Sequence, residues 1–168
     1  ILGGYPSFRD IPRLKTWLGW GRSIPGFGRA VRRATAPVFG RLTSPKFAGL
    51  LEYGGTHSGA YLLRRGLYMP WELAGLMGSD RARAGLDALQ PLLRLDATLT
   101  GLECERTIVA TLELEWYMRC QLLRDVDWAG MAHSLEVRVP FVDVDLLRSI
   151  APMIASRQPP QKRHLGRI

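Results

Sequence analysis

A carboxylate and a guanidinium stand two residues apart in Leu135-Glu136-Val137-Arg138-Val139. Apolar residues take the odd positions and charged ones the even. That is the alternation of a short strand or extended edge segment, and Pro140 stops it at once. Side chains two apart in an extended chain share a face. Glu136 and Arg138 are therefore expected to point the same way, with Leu135, Val137 and Val139 turned into the core. Two readings stay open. The pair is an ion pair stitching the segment to a neighbour, with Asp143 or Asp145 as further partners. Or it presents an acid and a forked donor together to a polar ligand, since guanidinium N–H groups meet a carboxylate or phosphate two at a time.

The elements that must position this segment are mostly helical by their spacing. Ile108, Val109, Leu112, Trp116, Cys120 and Leu123 recur at helical steps and predict a helix over 105–124 with a core-facing stripe. That helix is expected to end before a short one capped by Asp127. The pattern turns helical again over 144–154. Upstream, residues 7–20 predict a helix with Pro12 in its first turn. Residues 21–46, rich in Gly, Pro and Arg, read as loop with a short helix near 28–34. One or two short helices, broken at Gly54-Gly55, are expected over 46–65. A short helix over 70–77 starts at Pro70, and another over 81–95 is interrupted near Pro91.

The chain has 168 residues, enough for one ordinary domain with a real core. Hydrophobic residues are 46% and charged residues 23%, which excludes a disordered chain. No apolar run approaches the length of a membrane span. Cys104 and Cys120 form no C-x-x-C pair and have no nearby His, so no metal site is assigned and two free thiols in a reducing compartment are expected. Charge is uneven, with a net +9 over residues 1–65 and −1 over 66–168. A basic third invites nucleic acid, but no recognition motif accompanies it, and Arg outnumbers Lys 20 to 3 throughout. Solvated surface is the first reading of that third, an anionic small-molecule site the second, nucleic acid the last.

The stretch Leu123-Arg124-Asp125, Asp127, Met131-Ala132-His133-Ser134-Leu135-Glu136-Val137-Arg138-Val139-Pro140-Phe141 and Asp143 resembles the most characteristic part of glutamine-dependent asparagine synthetases. Gly3-Gly4-Tyr5-Pro6 is similar to the tail of that family's acidic loop, and Lys162 lies where the family places a lysine near a late helix. The resemblance implies a ligase that uses ATP and Mg²⁺ to activate aspartate as an acyl-adenylate. Ammonia then attacks, supplied from glutamine by an N-terminal glutaminase domain. It further implies Lys162 as the cation for the adenylating phosphate and Glu136 as the group that orders the site or moves a proton. Arg124, Asp127 and Arg138 would shape the substrate pocket, and Gly3, Gly4 and Tyr5 would close a loop beside the nucleotide.

The fold so implied is mainly α, the helical second half of an α/β ATP-pyrophosphatase-type (adenine nucleotide α-hydrolase-like) synthetase domain spanning residues 1–168. The family's Ser-Gly-Gly-x-Asp-Ser phosphate loop is not in the sequence. The chain starts at Ile1, with its first Met at Met69. It is therefore expected to be a fragment, inactive alone, of a cytoplasmic enzyme that could pair as a homodimer. The rival expectations are a related amidotransferase acting on another carboxylate and a non-catalytic basic binding module.

Overall fold

The computed structural model describes residues 4–156 and 158–160. The described residues are mainly helical and form no strand. None of their helices is long and apolar enough to cross a membrane. The chain divides into two compact units, Arg9–Thr100 and Gly101–Ile168 with Ile1–Phe8. Helix α1 (Ser7–Leu18) begins in the second of these and continues in the first. Pro12 lies in its interior, one turn later than expected.

In the Arg9–Thr100 unit, α2 (Phe27–Leu42) replaces most of the loop expected over 21–46. The short helix expected from 28 runs on past 34 through Pro37 and Gly40, residue types that read as loop. Gly28, near its start, is a packing glycine: a Cβ there would lie 2.6 Å from Glu52 Cα. Its bareness lets α2 close onto α3 (Leu50–Tyr53) backbone to backbone. The break at Gly54-Gly55 is as expected. Thr56 then caps α4 (His57–Arg65), its hydroxyl accepting from Gly59 N–H at 2.9 Å. Helix α5 (Leu73–Met77) starts after Pro70, not on it. The intervening turn is locked reciprocally. The Glu72 carboxylate accepts from Met69 N–H, and Met69 C=O accepts from Glu72 N–H.

The expected interruption near Pro91 separates α6 (Ser79–Leu89) from α7 (Pro91–Thr98). Gln90 makes the turn at φ 42°, and Pro91 takes the first helical position, where a missing N–H costs nothing. Ser58 Oγ donates to Asp96 Oδ1 at 2.5 Å, tying α4 to α7. Ile11, Tyr61, Leu63, Met69 and Leu95, with Ala48, Ala60 and Ala82, are the buried apolar residues around which this unit is built.

The second unit is dominated by one unbroken helical run. It begins as α8 (Glu105–Leu112), passes through a π-helical stretch (Glu113–Leu123), and ends as α9 (Arg124–Met131). No helix end precedes Asp127, so that residue is not a cap; it lies inside the first turn of α9. The core stripe also stops early. Ile108, Val109 and Leu112 are buried, but Cys120 is exposed. The wider i→i+5 winding of the π stretch carries later side chains away from the 3.6-residue register that the stripe assumed. Asp143 then caps α10 (Val144–Ile154), accepting from Leu146 N–H at 2.8 Å.

Candidate functional site

The run from α8 to α9 ends in a tight reversal that launches the Glu136–Arg138 segment. Leu135 N–H donates to Gly130 C=O at 2.9 Å and Ser134 N–H to Met131 C=O at 3.0 Å. These nested six-to-one and five-to-two bonds make a Schellman motif. Its left-handed position is held by Ser134 at φ 57°, a place usually taken by Gly. Gly130 is buried beneath the returning chain. A Cβ there would meet the Leu135 carbonyl oxygen at 2.6 Å and Val137 Cγ2 at 3.3 Å. Gly130 and Ser134 therefore set where Glu136 begins. Sequence reasoning singled out neither, because the usual signal of such an end is Gly at the left-handed position, which Ser134 takes here.

Residues 135–139 are irregular rather than a strand. Glu136 and Arg138 do share a face, as the alternation predicted. Arg138 Nε donates to Glu136 Oε1 at 3.0 Å, and the side chains are 84% and 71% exposed respectively. The inward turn expected for the apolar positions does not occur. Leu135, Val137 and Val139 are 61%, 53% and 40% exposed. Without a second strand to pair with, an alternating segment has no sheet to set one face inside. The expected further partners are also engaged elsewhere, since Asp143 caps α10 and Asp145 pairs with Arg148 at 3.2 Å.

Arg124 and Asp127 lie one turn apart on α9. The Arg124 guanidinium sits 4.8 Å over the Trp128 ring. No hydrogen bond or ion pair among the described residues joins Arg124 or Asp127 to the Glu136–Arg138 pair. Gly4 is exposed, and Tyr5 meets Tyr117 of the π stretch edge-on, with centroids 6.2 Å apart. Gly3 and Lys162 lie outside the described residues. Cys104 precedes α8, and its thiol is held below the usual range by hydrogen bonds from the Thr107 N–H and hydroxyl, with the Arg106 N–H adding to them. It remains exposed, as does Cys120, and both are free thiols.

An acid and a guanidinium, hydrogen-bonded and open to solvent, can take up a proton and bind a carboxylate or phosphate. The described residues offer no group of three His, Cys, Asp or Glu that could hold a metal ion. With no phosphate loop in the sequence either, the donor set does not fit a complete Mg²⁺–nucleotide site. The sequence matches the asparagine synthase family over residues 1–158. The chain belongs to the asparagine synthase family. This places it among amide-forming ligases of amino-acid biosynthesis, as the 123–143 stretch implied. No curated protein and no solved structure matches the chain.

Proposed function

We propose that this asparagine synthase-family chain supplies one wall of an ATP-dependent ligase that converts aspartate to asparagine with ammonia from glutamine. Its helices would be the second half of an ATP-pyrophosphatase-type synthetase domain, in a cytoplasmic enzyme. The observation that carries the reading is the exposed Glu136–Arg138 pair, set at the end of α9 by the Gly130–Ser134 reversal, inside the residues that match the family. ATP supplies the activation of the carboxylate, and the residues in hand supply no complete site for it or for Mg²⁺.

The chain's own contribution is narrower. Glu136 accepts a proton as ammonia becomes an amide, and Arg138 holds that carboxylate in place. A guanidinium hydrogen-bonded to a carboxylate orients it for proton transfer. Arg124, fixed against Trp128, and Asp127 on the same turn shape the substrate side of the wall. Lys162 is assigned the phosphate-facing charge by resemblance alone, as are Gly3, Gly4 and Tyr5 the loop beside the nucleotide.

The test is made in the polypeptide that joins this chain to a phosphate loop and a glutaminase domain. Glu136→Gln is expected to lower asparagine formation by about 100-fold or more, the usual contribution of a positioned base. Glutamine hydrolysis, chemistry of another domain, should be unchanged. Equal loss of both activities would show that Glu136 serves folding instead. Amide formation from a different carboxylate, with none from aspartate, would point to a related amidotransferase. By itself the 168-residue chain is expected to show no Mg²⁺-dependent ATP binding in equilibrium dialysis.

A further inference from the structure

The Arg9–Thr100 unit contains a groove of about 640 Å³ between α2, α3 and the α5–α6 pair. That volume falls within the roughly 300–1,000 Å³ typical of small-molecule sites. One wall is fixed. Arg32 is hydrogen-bonded to Glu52, both side chains being more than four-fifths buried. The Arg32 guanidinium also lies 4.7 Å over the Trp71 ring. Trp71 in turn packs against Tyr53, centroids 5.5 Å apart, and its tip fills the space where a Gly49 side chain would stand. The wall is therefore preorganised before any ligand arrives.

The remaining charge on the groove is not neutralised from within. Arg29 shares Glu52 at 3.7 Å. Arg33 and Arg83 are exposed and, among the described residues, have no acid within ion-pair distance. The only other acid in the lining is Asp87, also exposed, so four guanidiniums face two carboxylates. A concave surface with an excess of one sign of charge concentrates ions of the other sign. Pro70, Ala74 and Leu86 provide an apolar floor beside these charges. Burial, and secondly Glu52, push the Tyr53 hydroxyl above its ordinary range, against the opposing pull of Arg32 and Arg29. The phenol therefore stays a donor at neutral pH.

We propose that this groove binds a small organic anion, its phosphate or carboxylate group held by Arg33 and Arg83 and its apolar body on Pro70, Ala74 and Leu86. The site lies in a different unit from Glu136 and Arg138 and does not depend on their assigned role. Forked guanidinium donors select such groups by geometry as well as charge. The apolar floor distinguishes an organic anion from an inorganic one.

The experiment titrates the 168-residue chain with phenyl phosphate, benzoate and inorganic phosphate. It follows the Trp71 indole N–H by NMR, assigned with Trp71→Phe. A saturable shift with phenyl phosphate or benzoate, at least tenfold tighter than with inorganic phosphate, is expected, and the stronger of the two names the head group. The double variant Arg33→Gln, Arg83→Gln should weaken binding at least tenfold, and Arg33→Lys, which keeps the charge but loses the fork, by less. Arg119→Gln, in the other unit, should leave it unchanged. Both target residues are solvent-exposed, and an unchanged helical circular dichroism signal checks the fold of each variant. The absence of a saturable shift at low ionic strength would overturn the proposal. So would an Arg119→Gln loss as large as that of the double variant, because diffuse charge would then explain the binding.

Discussion

Two glutamate–arginine pairs, one in each unit, use the same chemistry to opposite ends. Glu52 and Arg32 are 20 residues apart on different helices and are largely buried, so their bond joins α2 to α3. Glu136 and Arg138 are two residues apart and exposed, so their bond joins nothing but themselves. The first pair holds the fold, and losing one partner strands a charge in a poorly solvated place. The second contributes roughly 0–1 kcal/mol, as exposed pairs do. It is therefore free to serve a ligand. The first unit packs helix on helix around its pair, while the unit with the family's characteristic stretch leaves its own pair in solvent.

The comparison can be broken at its firmest point. Gly28→Ala should destabilise the chain most, by about 2–3 kcal/mol, because the new methyl meets the Glu52 backbone rather than a side chain able to move. Urea denaturation checks this, and an unchanged midpoint would show that α2 and α3 do not pack as described. Next, Glu52→Ala should cost about 1–3 kcal/mol by leaving Arg32 without its acid. The matching Glu136→Ala should stay within about 0.5 kcal/mol. Equal costs for the two would erase the contrast between the units.

Alkaline titration sharpens it further. The folded-state pKa of Tyr53 is raised above the unfolded value of 10.0, first by burial and then by Glu52. The stabilisation this implies is complete below pH 10 and fades as pH rises through the folded value. Tyr53→Phe should therefore flatten the loss of stability above pH 10, measured by thermal melts across that range. A small effect is also expected at the reversal after α9. Ser134→Gly should raise stability by a few tenths to about 1 kcal/mol, since glycine relieves the left-handed strain but costs more entropy. Hydrogen exchange of the Leu135 amide would report it, and faster exchange would contradict the assigned turn.

Much of the helical order was legible before any coordinates. The break at Gly54-Gly55, the restart at Pro91 and the run beginning near 105 all follow from local rules of capping and backbone freedom. The length of α2 was not, because Pro37 and Gly40 signal a loop locally, yet both lie inside the helix. The fate of Cys120 was hidden in the same way. Helical spacing assumes a constant turn, and the π stretch changes it.

The candidate site divides along the same line. The sequence alone determined that Glu136 and Arg138 share a face, because the two-residue period of an extended backbone is a property of covalent geometry. It also determined the family, whose residues are read by type and order. Only the tertiary structure decided that Leu135, Val137 and Val139 are exposed and that Asp127 sits within a helix. It alone joined Arg32, Glu52 and Trp71 into one wall. Burial and long-range contact depend on which distant elements meet, and no local pattern carries that information.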